Sequence, residues 1–328
     1  MPRLTVLICT HNRAGLLMRT IDSLNGARRP EGWTVDLLVA ANACSDDTHA
    51  RLDDYQRQAA ADGRLPLQWF AEPVPGKSNA LNAALPRVDS ELTAFVDDDH
   101  RVHADYLAAI CRAAGQHPEA GLFCGRILPD WDGREPAWVH DTGPYRIYPL
   151  PVPRFDQGDE PCELTPERAI PGGGNLFIRT PWAARVGRFD TAMGPTGHDL
   201  GGAEDLDWVL RAQRLGARLR YVPDMVQYHY VESERMTLGY VMKKAYKRTA
   251  STVRLENGRA GPVPRYLYRK LAEYALRACT SLGTARRRYY LVRTAAALGE
   301  FAGHRQLRRL GHRQPLGRLP AHEVLHRH

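Results

Sequence analysis

Apolar, β-branched runs alternate with amphipathic stretches through the first third of the chain, and each apolar run ends in a polar cluster. "LTVLICT" (4–10) has the make-up of a buried strand and is followed by a turn at "HNRAG". "LLMRTIDSLNGA" then sets Leu17, Ile21 and Leu24 on one helical face. "VDLLVAA" predicts a second strand, closed by "NACSDDT", a cluster able to cap a helix that runs through Tyr55. "LPLQWFAE" predicts a third strand, and the glycine-led "GKSNALNAALPRV" a turn into a helix. "LTAFV" predicts a fourth strand, and "ADYLAAICRAAGQH" another helix. This alternation specifies an α/β fold, a mostly parallel, Rossmann-like sheet flanked by helices. Ligands of such sheets collect at the carboxyl ends of the strands, where "THN", "ANACSDD", "GKSN" and "DDD" all fall.

Past residue 120 the rhythm changes. "RILPDWDGREPAWVHDTGPYRIYPLPVPRFDQGDEP" is rich in Pro, Gly and aromatic residues and reads as a long loop region with short strands. Beside a strand-end site, such a loop suits a lid or a specificity element. "IPGGGNLFIRT" brings a glycine turn and a strand, "AEDLDWVLRAQRLGA" a helix with acids in its first turn, and "LRYVPDMVQYHYV" a strand. From Thr237 the pattern is helical, basic and aromatic, with breaks near Gly258–Pro264 and at Gly283. The expected division is a domain over 1–236 and a basic, mostly helical extension over 237–328.

No apolar run approaches the roughly 18–20 residues needed to span a bilayer. The N-terminus enters a strand-like segment without the pattern of a signal peptide. The six cysteines lie apart with no C-x-x-C spacing, so neither a disulfide framework nor a zinc site is expected, and a cytoplasmic location is. Charge is distributed unevenly: residues 240–328 hold 20 of the 45 Lys and Arg but only four of the 37 acids. In "RYLYRKLAEYALRA", Leu267, Leu271, Tyr274 and Ala278 fall at helical spacing, with Arg269, Lys270 and Arg277 elsewhere on the surface. That pattern fits contact with the inner face of an anionic membrane, and equally a helix packed on the rest of the protein. No nucleic-acid-binding motif accompanies the basic segment, and a nucleic-acid partner is not expected.

The chemistry centres on "FVDDDH". In an extended segment Asp97 and Asp99 share one face, and hard oxygen ligands of this kind suit Mg²⁺ or Mn²⁺ with substrate phosphates completing the shell. A solvated acidic turn capping the helix near Asp105 is the alternative. Lys77 can meet a phosphate as a point charge, with Asn79 and Asn82 one turn apart on the same helix. Neither a P-loop nor a G-x-G-x-x-G is present, which argues against ATPase and dehydrogenase chemistry. Glu204-Asp205 opens a helix, as a general base would or as acids complementing the helix dipole do. His229 stands near a strand end, as a ligand or as an ordinary packed histidine.

In their order, "VLICTHNR", "LLVAANACSDDT", "GKSNALNAAL", "FVDDDHRV", "GGGNLFIRT" and "GAEDLDWVLRAQRLG" make residues 1 to about 235 resemble the family 2 glycosyltransferases of the GT-A fold. The resemblance implies a nucleotide-sugar donor, Mn²⁺ or Mg²⁺, and inverting transfer to an acceptor hydroxyl; the acceptor expected is a polysaccharide, a glycolipid or a small-molecule glycoside, saccharide or lipid-linked. By the family pattern Thr10, Asn12 and Arg13 would line the nucleotide pocket, with Asn42 near the base. Asp97 and Asp98 would lie near ribose and donor sugar, while Asp99 and His229 would hold the metal. Asp205 would be the base supported by Glu204, and Asn175 would sit in the sugar pocket behind Gly172–Gly174. One departure stands out: the family often ends its second strand with "VDDGS" or "VDNGS", whereas this chain reads "VAANAC". A UDP donor is favoured, with GDP and dTDP open. A sugar-nucleotide nucleotidyltransferase is the enzymatic rival, but "THNRAG" is a poor substitute for its glycine-rich "GxGTR" loop. A non-catalytic nucleotide-sugar-binding module is the other alternative, against which the full set of acids and His229 argues.

Overall fold

The computed structural model describes residues 1–147, 150–166, 168, 171–191, 204–256 and 262–310. The "GHDLGGA" approach to Glu204, the break at Gly258 and the chain past 310 lie outside the described residues. The chain forms two compact units, Met1–Asp130 with Arg154–Tyr230, and Trp131–Pro153 with the chain from Val231 on.

In the first unit the predicted alternation is realised element by element. β1 (Arg3–Thr10), α1 (Ala14–Asn25), β2 (Thr34–Asn42), α2 (Thr48–Ala59), β3 (Leu67–Glu72), α3 (Lys77–Ala84) and β4 (Leu92–Phe95) follow one another. They are succeeded by β5 (His100–Val102), α4 (Tyr106–Gln116), β6 (Leu122–Asp130), β7 (Cys162–Leu164), β8 (Leu176–Arg179), α5 (Pro181–Val186), α6 (Glu204–Arg214) and β9 (Leu219–Tyr230). β1 is central because its side chains are apolar on both faces. Leu4, Val6 and Ile8 pack with Leu17, Ile21 and Leu24 of α1 on one side, and Leu7 packs with Leu81 of α3 and Trp208 of α6 on the other. Each such leucine or isoleucine contributes about 1.5–3 kcal/mol of burial.

The strand order is β3-β2-β1-β4-β8-β6-β9-β5, with β7 on β9. β1, β2, β3 and β4 pair in parallel, as the alternation predicts. The second half is mixed, because β8 runs antiparallel to both β4 and β6, while β6 and β9 are parallel. Only Val96–Asp99 separates β4 from β5, yet β8, β6 and β9 lie between them in the sheet. The sheet therefore curls, bringing the β9 end round to the carboxyl end of β4.

Two expectations change here. The aspartates occupy a turn closed by the His100 amide donating to the Asp97 carbonyl (3.2 Å), not an extended segment, and it is this turn that sets Asp97 and Asp99 4.0 and 3.9 Å from His100 Nε2. The region read as loop from Arg126 begins instead with the end of β6, and residues 131–153 belong to the second unit.

That unit is built on α7 (Leu238–Glu256), α8 (Arg265–Thr280) and α9 (Thr284–Leu310), and α9 packs against both partners. Gly299 and Gly303, one turn apart on α9, admit the α7 backbone closely, since a Cβ on either would overlap the carbonyls of Tyr246 and Ala250. Ile147, Val241 and Val292 form a small core, and Arg288 reaches Asp141 at 2.9 Å.

Candidate active site

The three aspartates take different sets of partners, with Arg13 shared between Asp98 and Asp99, and together these answer the charge clustering of the sequence. Asp97 Oδ1 accepts from Lys77 Nζ at 2.8 Å, and Lys77 lies 3.7 Å from Asp205 Oδ2. Burial alone would raise the Asp97 pKa, but the Lys77 ammonium holds it well below the usual carboxylate range. Asp98 accepts from Thr10 Oγ1 at 2.7 Å and from Arg13 at 3.2 Å. Burial and the neighbouring Asp99 charge push it up to about 6, against the pull of Arg13. Asp99 receives the same Arg13 nitrogen at 2.9 Å and faces His229 Nε2 at 3.5 Å. Burial opposes its charge, but the two imidazoles and Arg13 outweigh burial and lower its pKa. Thr20, on the buried side of α1, holds the turn by donating to the carbonyls of Asp98 (3.0 Å) and His100 (2.7 Å).

Strand register explains the histidines. His100 and His229 are direct partners across the antiparallel β5–β9 pair, so their rings meet edge to face with centroids 5.0 Å apart. His229 Nδ1 lies 2.6 Å from the Tyr230 carbonyl, which can only accept, so a proton sits on Nδ1 and Nε2 is the nitrogen that faces Asp99. Burial pushes the His229 pKa below its ordinary value, against the pull of the Asp99 charge. His100 Nδ1 donates to Gln227 Oε1, because the Gln227 amide nitrogen is committed to Tyr106 Oη (2.7 Å) and Asn175 Oδ1 (3.1 Å). Its Nε2 therefore also faces the acids, 3.9 Å from Asp99 Oδ1. Asp99, His100 and His229 bring ligand atoms within 4.8 Å of one another. His100 and Gln227 were missed in the sequence. Their signals were a histidine directly after the aspartates and a glutamine on the buried side of β9.

Asp205 opens α6, and its Oδ2 accepts from the Gly173 amide at 2.9 Å. A Cβ on Gly173 would overlap that carboxylate, and one on Gly174 would overlap Asp97, so the glycine run makes room for two acids. Glu204 is buried with Oε2 lacking a partner among the described residues. Burial and the Asp205 charge push its pKa up to about 7. Leu7, Cys9, Lys77, Leu81, Phe95, Val96, Asp97, Gly173 and Asp205 line a small cavity here.

Other predicted site residues stand behind the cluster. Asn42 donates to the carbonyls of Glu72 (3.3 Å) and Val74 (2.7 Å) and accepts from the Gly76 amide (2.7 Å), which ties down the loop before Lys77. Asn12, at φ 52°, accepts from the amides of Ser45 (2.7 Å) and Asp46 (3.3 Å) and so fixes the loop after β2. Asn175 is fully buried and donates to the carbonyls of Arg126 and Met225. Asn79 and Asn82, read as phosphate neighbours of Lys77, are spent on backbone: Asn79 on Pro75, Asn82 on both polar groups of Phe189.

This architecture recurs in known proteins. Over 241 residues the chain is 22% identical to the succinoglycan biosynthesis protein ExoM of Rhizobium meliloti (strain 1021), covering 73% of this chain and 71% of that one. It is similar to the mannosyltransferase PcManGT from Pyrobaculum calidifontis, solved with GDP-Man and Mn²⁺, at a TM-score of 0.54 and 20% identity over 90% of this chain and 87% of that one. S. aureus TarS 1–349 in complex with UDP gives 0.52 at 16% identity, over 94% and 91%. The chain spans 55% of the longer TarS chain. Residues 5–182, more than half of the sequence, match the family model of glycosyl transferase family 2. The chain therefore belongs to glycosyl transferase family 2 and is a glycosyltransferase of the GT-A fold.

Proposed function

We propose that this glycosyltransferase moves a sugar from a nucleoside-diphosphate sugar to an acceptor hydroxyl with inversion, using Mn²⁺ or Mg²⁺ and Asp205 as general base. The observation that carries the reading is a division of labour among carboxylates at one strand end. Asp99 faces two imidazole nitrogens, while Asp205 hangs on the Gly173 amide beside Lys77. One carboxylate and two Nε2 lone pairs fit a first-row divalent ion, and the imidazoles favour Mn²⁺ over the oxygen-seeking Mg²⁺. When bound, such an ion supplies positive charge where the leaving diphosphate gathers negative charge.

The chain's own residues do the rest. Lys77, half-buried and held firmly protonated by Asp205 and Asp97 against the cost of desolvation, offers a second fixed charge to the diphosphate. Asp97 aims Lys77, and Asp98, bonded to Thr10, aims Arg13. Asp97 stays within reach of donor sugar. With Oδ2 of Asp205 fixed by Gly173, Oδ1 takes the hydroxyl proton as the new C–O bond forms opposite the leaving group. Glu204, protonated at low pH, limits the repulsion on that base. The GDP-Man and UDP complexes of similar folds support a nucleotide-sugar donor, UDP-linked first, with GDP and dTDP in the same screen. The relation to a succinoglycan biosynthesis protein supports a saccharide or lipid-linked saccharide acceptor.

The test pairs two variants. Asp99→Asn is expected to weaken Mn²⁺ and donor binding together in calorimetry. Asp205→Asn should bind donor as wild type does and transfer nothing. Full transfer by Asp205→Asn would overturn the base assignment.

A further inference from the structure

The apolar face read from the sequence of α8 turns inward: Leu267 and Ala278 are buried, Leu271 and Tyr274 half-buried. The opposite side carries a second stripe. Arg265, Tyr268, Arg269, Ala272, Leu276 and Cys279 recur at three- and four-residue steps and are exposed, Tyr268 at 55% and Leu276 at 64%. Beyond the helix end Leu282 stands fully exposed in the turn to α9, followed by exposed Arg286 and Arg287. Among the described residues, Tyr246, Tyr266, Tyr268, Leu276, Leu282 and Leu298 are the exposed large apolar side chains of this unit, against Met1, Val74 and Leu215 elsewhere. Single exposed leucines carry no message, but a continuous stripe flanked by cations does.

Charge narrows the occupant. The acids of α8 and α9 are Glu273 and Glu300. Glu273 pairs with Arg277 at 2.9 Å, and Glu300 takes Lys270 at 2.7 Å and Tyr266 at 2.6 Å. With both acids spent in this way, the exposed charges beside the stripe are cationic: Arg265, Arg269, Arg286 and Arg287. An anionic surface meets them with opposite charge.

We propose that α8 and the Leu282 turn dock this protein on an anionic bilayer surface. Tyr268, Leu276 and Leu282 enter the boundary between headgroups and acyl chains, and Arg265, Arg269, Arg286 and Arg287 take lipid phosphates. The contact is peripheral, since no helix among the described residues is long and apolar enough to cross a membrane.

Flotation of the full chain with vesicles tests this without reference to transfer activity. The chain is expected to float with equimolar phosphatidylcholine and phosphatidylglycerol, to ignore phosphatidylcholine alone, and to be released by high salt. Each cation near such a surface strengthens binding about fivefold, so R265E/R269E should weaken it by about 25-fold or more. L276D/L282D should weaken it comparably, while L215D, exposed in the other unit, should float as wild type does. Circular dichroism checks that these surface variants fold. Absence of binding to the anionic vesicles, or wild-type binding by L276D/L282D, overturns the proposal. A dimer seen by light scattering and abolished by L276D/L282D assigns the stripe to a second copy and overturns it too.

Discussion

The backbone amide of Gly173 holds Asp205 by its Oδ2 at 2.9 Å, and the space that permits this bond is the space a Cβ on Gly173 would fill. Gly173→Ala should therefore displace Asp205, the proposed base, without touching the Asp99 cluster. Small misplacements of a catalytic group cost about 100-fold, so kcat should fall by about that factor or more. Donor affinity by calorimetry should stay unchanged. A loss confined to donor affinity would count against Asp205 as the base.

Asn42 sits where many relatives are expected to carry aspartate, yet its amide nitrogen donates to two carbonyls of the loop before Lys77. A carboxylate cannot donate there. Asn42→Asp should leave those carbonyls facing a buried charge and cost about 1–3 kcal/mol in urea unfolding. Donor binding should weaken with it, because Gly76 and Lys77 lose their anchor. Undiminished stability would remove the anchoring role.

Gln227 touches the cluster only through His100, whose Nδ1–H it accepts. Gln227→Leu should free that ring to change tautomer. Outer partners of metal-binding histidines are worth about 10–100-fold in affinity. Mn²⁺ binding, followed by the electron paramagnetic resonance signal of the free ion, should weaken by that factor. Chelation should abolish transfer and added Mn²⁺ should restore it.

Glu204 sets a pH dependence of stability. Its folded pKa, pushed up to about 7 by burial and the Asp205 charge, lies above its ordinary 4.5. Between those values the folded chain holds a proton that the unfolded chain has released, so the contribution is full below 4.5 and is lost as pH rises through 7. The loss is on the order of 3 kcal/mol. Glu204→Gln, neutral throughout, should gain on wild type in urea unfolding from about pH 5 to about pH 8. Parallel pH profiles of the two proteins would contradict this.

Strand–helix periodicity determined the parallel half of the sheet, because β1 to β4 are local apolar runs bounded by turn residues. The sequence also placed Asp97, Asp98, Asp99, Lys77 and Asp205 at strand or helix ends, the places in such a sheet that polar side chains can occupy in a cluster. What it left open depends on contacts between distant segments. Periodicity carries no pairing partner, so the reversal at β8 and the curl that sets β5 on β9 came only with the fold. That pairing alone joins His100 to His229 and brings Gln227 behind them. Likewise, residue type could not tell that Asn42 and Asn175 spend their amides on backbone, or which side of α8 faces out. Local chemistry fixes what a side chain can do; tertiary contacts decide which of its bonds are already taken.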